Sequence, residues 1–179
     1  MQQSEQRLRS LYSADSWIAS EVDEVSSVIE LDDIDRALLR ILRDRPRTPI
    51  AEVARLASVA RGTATARLAR MEDAGVVTGY GPDVDARTIG FGVLAFVTLE
   101  IAQGHGPSVV EHLAAIPEVL EVHAVTGPGD LLCRIVARSN EHLDELLQDV
   151  LALPGARRSE THLALGTRFH RTACDLAVG

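Results

Sequence analysis

Apolar residues recur every three or four positions between residues 31 and 80, which predicts three short amphipathic helices separated by brief breaks. Asp32 or Asp33 is placed to cap the first helix, and Thr48 is placed to cap the second. The third helix is expected to span about residues 61–73. Its predicted inward positions are Ala64, Leu68 and Met71. This segment is therefore expected to form a compact unit of three helices.

The hydrophobic period changes from helical spacing towards two after a linker at residues 81–90. Residues 91–171 contain four segments that are predicted to be strands, most of them with alternating apolar positions, and two segments with the spacing of amphipathic helices. The predicted order of these elements is βαββαβ. That order is the split βαβ arrangement of a ferredoxin-like domain, so the chain is expected to be α+β. Residues 131–137 are almost continuously apolar, which predicts a central strand buried on both faces.

The two ends of the chain carry weaker patterns. Residues 1–30 have apolar positions at steps of three and four, a period typical of a helix that packs against another helix. We expect such a helix to pack within a dimer or along a larger assembly. Serines and β-branched residues in the same segment oppose helix formation, so a mobile or partly helical extension is the alternative. Residues 172–179 are assigned to a C-terminal tail.

The composition narrows the class of protein. Of 179 residues, 46% are hydrophobic and 25% are charged, which favours a globular chain over a disordered one. No uncharged apolar stretch approaches the ~18 residues of a membrane span, and the N-terminus lacks the apolar core of a signal peptide. Two cysteines without metal-binding spacing fit a reducing compartment. A cytoplasmic protein with no membrane partner is therefore expected.

The net charge of −8 is unevenly distributed along the chain. Residues 31–80 contain nine arginines and seven acidic residues, a net of +2, whereas the segments before and after them carry −4 and −6. Such an asymmetry favours a polyanionic partner for the first helical segment and keeps the remainder of the chain away from it.

Short motifs follow one another in a fixed order along residues 31–171. They include Leu31-Asp32-Asp33-Ile34-Asp35-Arg36, Arg67-Leu68-Ala69-Arg70-Met71-Glu72 and Thr126-Gly127-Pro128-Gly129-Asp130. With these motifs the chain resembles the leucine-responsive and asparagine-synthesis regulator (Lrp/AsnC, feast/famine) family of prokaryotic transcription regulators. The resemblance implies a winged helix-turn-helix domain at residues 31–80 and a ferredoxin-like effector and oligomerisation domain at residues 91–171. Double-stranded DNA is the partner that it implies.

A helix-turn-helix places the N-terminal part of its last helix in the major groove, where arginine reads guanine and threonine contacts the thymine methyl group. Phosphate contacts are expected from Arg47, Thr48 and Arg70. The full set of expected DNA-binding residues is Arg47, Thr48, Arg61, Thr63, Thr65, Arg67 and Arg70. For any single arginine, the alternative is a solvated helix face paired with Glu72 or Asp73. Ala60 occupies the position where the family usually has a serine cap, so this helix is expected to start uncapped.

The glycine-rich turn at residues 126–130 is the second candidate site. The resemblance implies that this turn helps to form an effector site for a small molecule, an amino acid, at subunit contacts of a homodimer or larger homo-oligomer. The residues assigned to that site are Thr126, Gly127, Gly129, Asp130, Ser159 and Thr161. The alternative is a tight turn in which Asp130 only accepts bonds from neighbouring backbone amides.

Other classes of function find little support in the sequence. The six histidines show no metal-ligand spacing, and no nucleophile motif or nucleotide-binding loop occurs, so neither catalysis nor a cofactor is expected. Cys133 lies among apolar neighbours and is expected to be an inert core thiol. An architectural DNA-wrapping protein of low sequence specificity is the first alternative function. An amino-acid-binding carrier or enzyme is the second.

Overall fold

The computed structural model describes residues 29–179, so almost all of the predicted N-terminal extension lies outside the described residues. The described chain separates into a helical unit, residues 29–83 with Arg168–Gly179, and a sheet unit, Val84–Thr167. Within residues 29–179, no helix is long and apolar enough to cross a membrane. In chain order the elements are α1 (Asp33–Asp44), α2 (Ile50–Leu56), α3 (Arg61–Asp73), β1 (Val93–Ile101), α4 (Gly106–Ala114), β2 (Val119–Ala124), β3 (Leu131–Ala137), α5 (Asn140–Leu151), β4 (Ala156–Leu163) and α6 (Ala173–Val178).

In the helical unit, the predicted cap of α1 and the predicted bounds and inward residues of α3 are confirmed. Asp32 caps α1, because its Oδ1 accepts the backbone N–H groups of Ile34 (2.9 Å) and Asp35 (3.0 Å). The bounds of α3 match the expected span. Its three predicted inward residues are buried in one core with Leu38 and Val53.

The start of α2 differs from the prediction by one residue. Pro49, with an extended backbone (φ −60°, ψ 146°), is the N-cap, and Thr48 stands before it. A proline side chain accepts no hydrogen bond, so α2 begins without a side-chain cap. The carbonyl of Pro49 instead accepts the N–H groups of Glu52 (2.9 Å) and Val53 (3.0 Å).

The sheet unit is a four-stranded antiparallel sheet with strand order β2-β3-β1-β4, which the expected βαββαβ order produces. Alternate residues of β1, represented by Ala95, Val97 and Leu99, are fully buried. They share one core with Val109 and Leu113 of α4 and with α5. Both helices therefore cover the same face of the sheet.

The other face of the sheet, termed the open face, carries Phe96, Leu132 and Arg134 at its centre, all only half-buried or exposed in the chain. The prediction that β3 is buried on both faces is therefore wrong for the single chain. The strand is interior in the sheet, but Leu132 and Arg134 alternate onto the side that carries no helix.

Residues 172–179 are not a simple tail. Thr172 and Asp175 form a capping box, which starts the six-residue helix α6. Val178, 5% exposed, joins the core of the helical unit. The helix forms because α1 supplies the surface for its apolar side, a partner that the local sequence does not reveal.

Candidate nucleic-acid interface and effector site

The N-terminal half of α3 carries three of the predicted DNA-binding residues at exposed positions. Arg61, Thr63 and Thr65 are all exposed, while Ala64 between them is fully buried. Thr65 donates a hydrogen bond from Oγ1 to the carbonyl of Arg61 (3.0 Å). Ala60 is the N-cap and supplies no side-chain bond, so the first backbone N–H groups of α3 lack a side-chain partner at this position, as predicted.

The arginines in the C-terminal half of α3 are bound to α1. Arg67 donates from Nη1 to Asp35 Oδ1 (3.2 Å) and forms a short ion pair with Asp32. Arg70 donates from Nη2 to Asp35 Oδ2 (2.5 Å). The Arg67 side chain is 28% exposed and that of Arg70 is 50% exposed. The two arginines are thus partly neutralised, in contrast to the predicted alternative of pairing with Glu72 or Asp73.

The pKa values follow these contacts. The backbone N–H of Asp35 and the guanidinium of Arg67 lower the pKa of Asp32 to about 2. Hydrogen bonds from Arg67 to Asp32 and then to Asp35 raise the pKa of that guanidinium above its ordinary value. Asp32 is therefore ionised across the physiological range, and the link between α1 and α3 is an ion pair there.

The turn between α1 and α2 carries the other two predicted phosphate contacts. Arg47 is exposed and Thr48 is half-buried. The backbone N–H of Thr48 donates to the carbonyl of Arg45 (3.1 Å), which fixes this short turn. Both residues lie in the same unit as α3.

The segment after α3 adds a contact that the sequence did not reveal. Gly75 has φ +70°, a left-handed backbone that ends the helix. Tyr80 then donates its hydroxyl to Glu72 Oε1 (2.6 Å), and partial burial together with this carboxylate raises the pKa of Tyr80 to about 12. The tyrosine holds the extended segment after the helix next to α3.

The glycine-rich turn of the sheet unit is fixed to β1. Asp130 accepts the backbone N–H of Ile101 at Oδ2 (2.7 Å), and its own N–H donates to the carbonyl of Leu99 (2.8 Å). A Cβ at Gly129 would lie 2.3 Å from Thr98 Cγ2 and 3.1 Å from the Leu99 carbonyl oxygen. Only glycine fits there, and Asp130 holds the turn against β1.

Two further predicted effector residues lie on the strand at the other side of β1. Ser159 pairs with Leu99 and Thr161 pairs with Val97, and both are half-buried. Asp130 is bonded to Leu99 on the side of β1 that faces β3, and Ser159 pairs with Leu99 on the side that faces β4. At the usual spacing between strands, the backbones of Asp130 and Ser159 are therefore about 10 Å apart. Thr126 and Gly127 are exposed at the tip of the turn.

Cys133 lies in the core of the sheet unit. Cys133 is fully buried, and this burial raises the pKa of its thiol to about 11, as expected of a core cysteine. In residues 29–179, no group of three or more His, Cys, Asp or Glu side chains is placed to hold a metal ion.

Comparison with known proteins identifies both units. Residues 31–78 match a family profile described as winged helix-turn-helix DNA-binding, and residues 94–174 match the Lrp/AsnC ligand binding domain. An HTH-type transcriptional regulator from Pyrococcus furiosus is 31% identical over 138 residues, which are 76% of this chain and 93% of that protein. The chain belongs to the Lrp/AsnC family.

Solved structures with this fold support the assignment. Escherichia coli AsnC superposes with a TM-score of 0.75 at 27% identity, covering 80% of this chain and 98% of that chain. A transcriptional regulator from Neisseria meningitidis, described as a complex with L-Met, has a TM-score of 0.73 at 24% identity and shares the fold over 80% of this chain and 95% of its own. This Lrp/AsnC protein is therefore a transcriptional regulator with a DNA-binding helix-turn-helix and a ligand-binding domain.

Proposed function

We propose that the chain binds specific sequences of double-stranded DNA in the cytoplasm and that a small effector, an amino acid, modulates this binding. The observation that carries the proposal is the exposed N-terminal half of α3, where Arg61, Thr63 and Thr65 surround a buried alanine. An arginine and two threonines on such a surface match the hydrogen-bond and methyl groups that base pairs present in the major groove.

Contacts with the DNA phosphates would position the protein on the duplex. Arg47 is exposed at the turn between α1 and α2, and Arg70 keeps half of its side chain exposed at the other end of the helix. We expect both cations to contact phosphates, and Thr48 adds a hydroxyl next to Arg47 in the chain. Such contacts fix the register on DNA and make the affinity depend on salt.

For the effector site we propose an amino acid as the ligand. The Asp130 carboxylate suits an ammonium group, and the hydroxyls of Ser159 and Thr161 suit a carboxylate. Thr126, Gly127 and Gly129 supply backbone groups at the turn. The family profile describes this domain as ligand binding, and the Neisseria regulator of the same fold is described with L-Met.

Self-association through the open face is part of the proposal. Phe96 is 38% exposed there, and Leu132 on the neighbouring strand β3 is half-buried. Apolar side chains grouped on an uncovered sheet face are typical of an interaction surface. A second copy of the chain would bury these side chains. A two-fold homodimer would then present two α3 helices to half-sites spaced by whole turns of DNA.

Capture of sheared genomic DNA by the purified protein, with and without a mixed amino-acid pool, tests this function. We expect a few enriched fragments whose recovery changes with the pool. The Arg61→Ala variant should lose the preference for those fragments, and Arg157→Ala, which removes an exposed arginine from the sheet unit, is the matched control. Uniform recovery of all fragments would instead favour an architectural DNA-wrapping role, and no recovery at moderate salt would refute DNA binding.

A further inference from the structure

A buried carboxylate lies beneath α3. Within residues 29–179, Asp35 is the single charged residue that is fully buried, with 0% of its surface exposed. It belongs to α1, faces α3, and lies outside the exposed surface proposed to read bases. A buried carboxylate is costly unless it is paired and hydrogen-bonded, so its partners show what it is for.

The partners of Asp35 are two arginines of α3 and one backbone amide at the start of α1. Arg70 donates to Oδ2 at 2.5 Å and Arg67 donates to Oδ1 at 3.2 Å, so each oxygen of Asp35 holds one arginine of α3. The backbone N–H of Asp32 donates to Oδ2 at 3.2 Å, which ties the same carboxylate to the start of α1. Asp32 in turn pairs with Arg67.

This arrangement controls the orientation of α3. Arg67 and Arg70 are three positions apart and therefore lie on one flank of the helix. Two arginines held by one buried carboxylate fix both the rotation of the helix about its axis and its shift along the axis. The directions in which the exposed residues Arg61 and Thr63 leave α3 therefore depend on a contact with α1.

We propose that Asp35 is a positioning residue for sequence recognition, and that Arg67 is its anchor rather than a reader of bases. The inference rests on the proposed DNA-binding function and refines it. Arg67 is held by two carboxylates and is 28% exposed, so it contributes orientation. Arg70 has one carboxylate partner and 50% exposure, so it both anchors α3 and reaches a phosphate.

A double-mutant cycle with Asp35→Asn and Arg67→Gln tests the inference. Affinities are measured at fixed salt for an enriched duplex from the genomic capture and for a duplex of unrelated sequence. We expect each single variant to lower the ratio of the two affinities by on the order of tenfold, and the double variant to lower it by clearly less than the product of the two single effects, because the two substitutions share the Arg67–Asp35 contact. If Arg67 reads a base independently of Asp35, its substitution will lower the ratio by the same factor in the Asp35→Asn background as in the wild type, and the inference is wrong.

A second variant guards against misfolding of Asp35→Asn. Arg67→Lys keeps the positive charge but loses the planar group that can hold two carboxylates. We expect it to reduce the preference for the enriched duplex while the dependence of log affinity on log salt stays unchanged. An unchanged preference of Arg67→Lys for the enriched duplex would overturn the inference. So would a fall of about one in the slope of log affinity against log salt for Arg67→Gln, because it would identify Arg67 as a phosphate contact.

The proposed function can fail separately. A wild-type protein with no preference for any duplex would refute sequence-specific binding before the variants are compared. A wild-type preference that survives unchanged in both Asp35→Asn and Arg67→Lys would refute only the positioning role.

Discussion

Arg40 of α1 donates a hydrogen bond from Nη2 to the backbone carbonyl of Val178, 138 positions further along the chain, at 2.9 Å. Arg43, one turn later, lies 3.5 Å from the Asp175 carboxylate. The chain therefore leaves the helical unit, forms the whole sheet unit, and returns to complete the core on which α3 packs. The candidate effector strand β4 is followed directly by this returning segment.

Shortening Val178 is expected to destabilise the helical unit. The side chain is 5% exposed, so Val178→Ala removes two buried methyl groups and should lower the free energy of unfolding by about 1.5 kcal/mol. Leu176→Ala, in the same helix but 79% exposed, is the control and should leave it nearly unchanged. Urea unfolding followed by far-ultraviolet circular dichroism measures both. Equal effects of the two substitutions would show that α6 does not pack as described.

A serine at the start of α3 is expected to stabilise it. Ala60→Ser supplies an oxygen for the unpaired N–H groups of the first turn and should raise the free energy of unfolding by about 1 kcal/mol. Ala66→Ser, at an exposed position inside the same helix, offers no cap and should be neutral or destabilising. Thermal unfolding of the three proteins makes the comparison, and no gain for Ala60→Ser would contradict the uncapped start.

The two glycines Gly62 and Gly129 should respond in opposite ways to substitution by alanine. Gly62 lies in α3 with no atom within 4 Å of an added Cβ, so Gly62→Ala should stabilise by about 0.5–1 kcal/mol. The Cβ of Gly129→Ala would overlap Thr98 Cγ2, and overpacking of this kind costs about 1–3 kcal/mol. Differential scanning calorimetry measures both. A stable Gly129→Ala protein would mean that the turn stands further from β1.

Acid should weaken the link between α1 and α3. The pKa of Asp32 is about 2 in the folded protein and lies near 4 in an unfolded chain, so this carboxylate stabilises the fold above about pH 4 and loses that contribution as the pH falls towards 2. Asp32→Asn should remove this part of the pH dependence. Asp33→Asn, a neighbouring exposed carboxylate outside the capping box, is the control. The midpoint of urea unfolding is measured between pH 2 and pH 6 for the wild type and both variants. An identical dependence of this midpoint on pH in all three proteins would refute the role of Asp32.

A charge on the open face should separate the subunits. Phe96 stands at the centre of that face, so Phe96→Glu would replace an apolar contact of the proposed interface with a charge that is costly to bury. We expect the wild type to sediment as a dimer or larger assembly and Phe96→Glu to sediment as a monomer. Leu165→Glu, at a position 98% exposed, adds the same charge elsewhere and should keep the assembly. Sedimentation velocity distinguishes these outcomes.

Features that depend on nearby residues could be predicted from the sequence. Asp32 lies at capping distance from the first turn of α1, and the spacing of Ala64, Leu68 and Met71 defines the inward side of α3. Alternation likewise predicted β1 and the side of it that is buried. These patterns arise within one or two turns or a single strand, where the chain itself fixes the geometry.

Contacts between distant residues could not be predicted in the same way. Asp35 and Arg70 are 35 positions apart, and nothing in either helix alone shows that they meet. A helix of six residues, such as α6, has too few turns to show a hydrophobic period. The charge of Arg67, which is predicted to contact DNA, is likewise visible in the sequence, whereas its two carboxylate partners are not.

The place of α6 in the chain also sets an order of events during synthesis on the ribosome. The first three helices emerge before the sheet unit, but Val178, which fills part of their core, is translated after β4. A nascent chain therefore carries a DNA-binding domain with an incomplete core until its ligand-binding domain has been made.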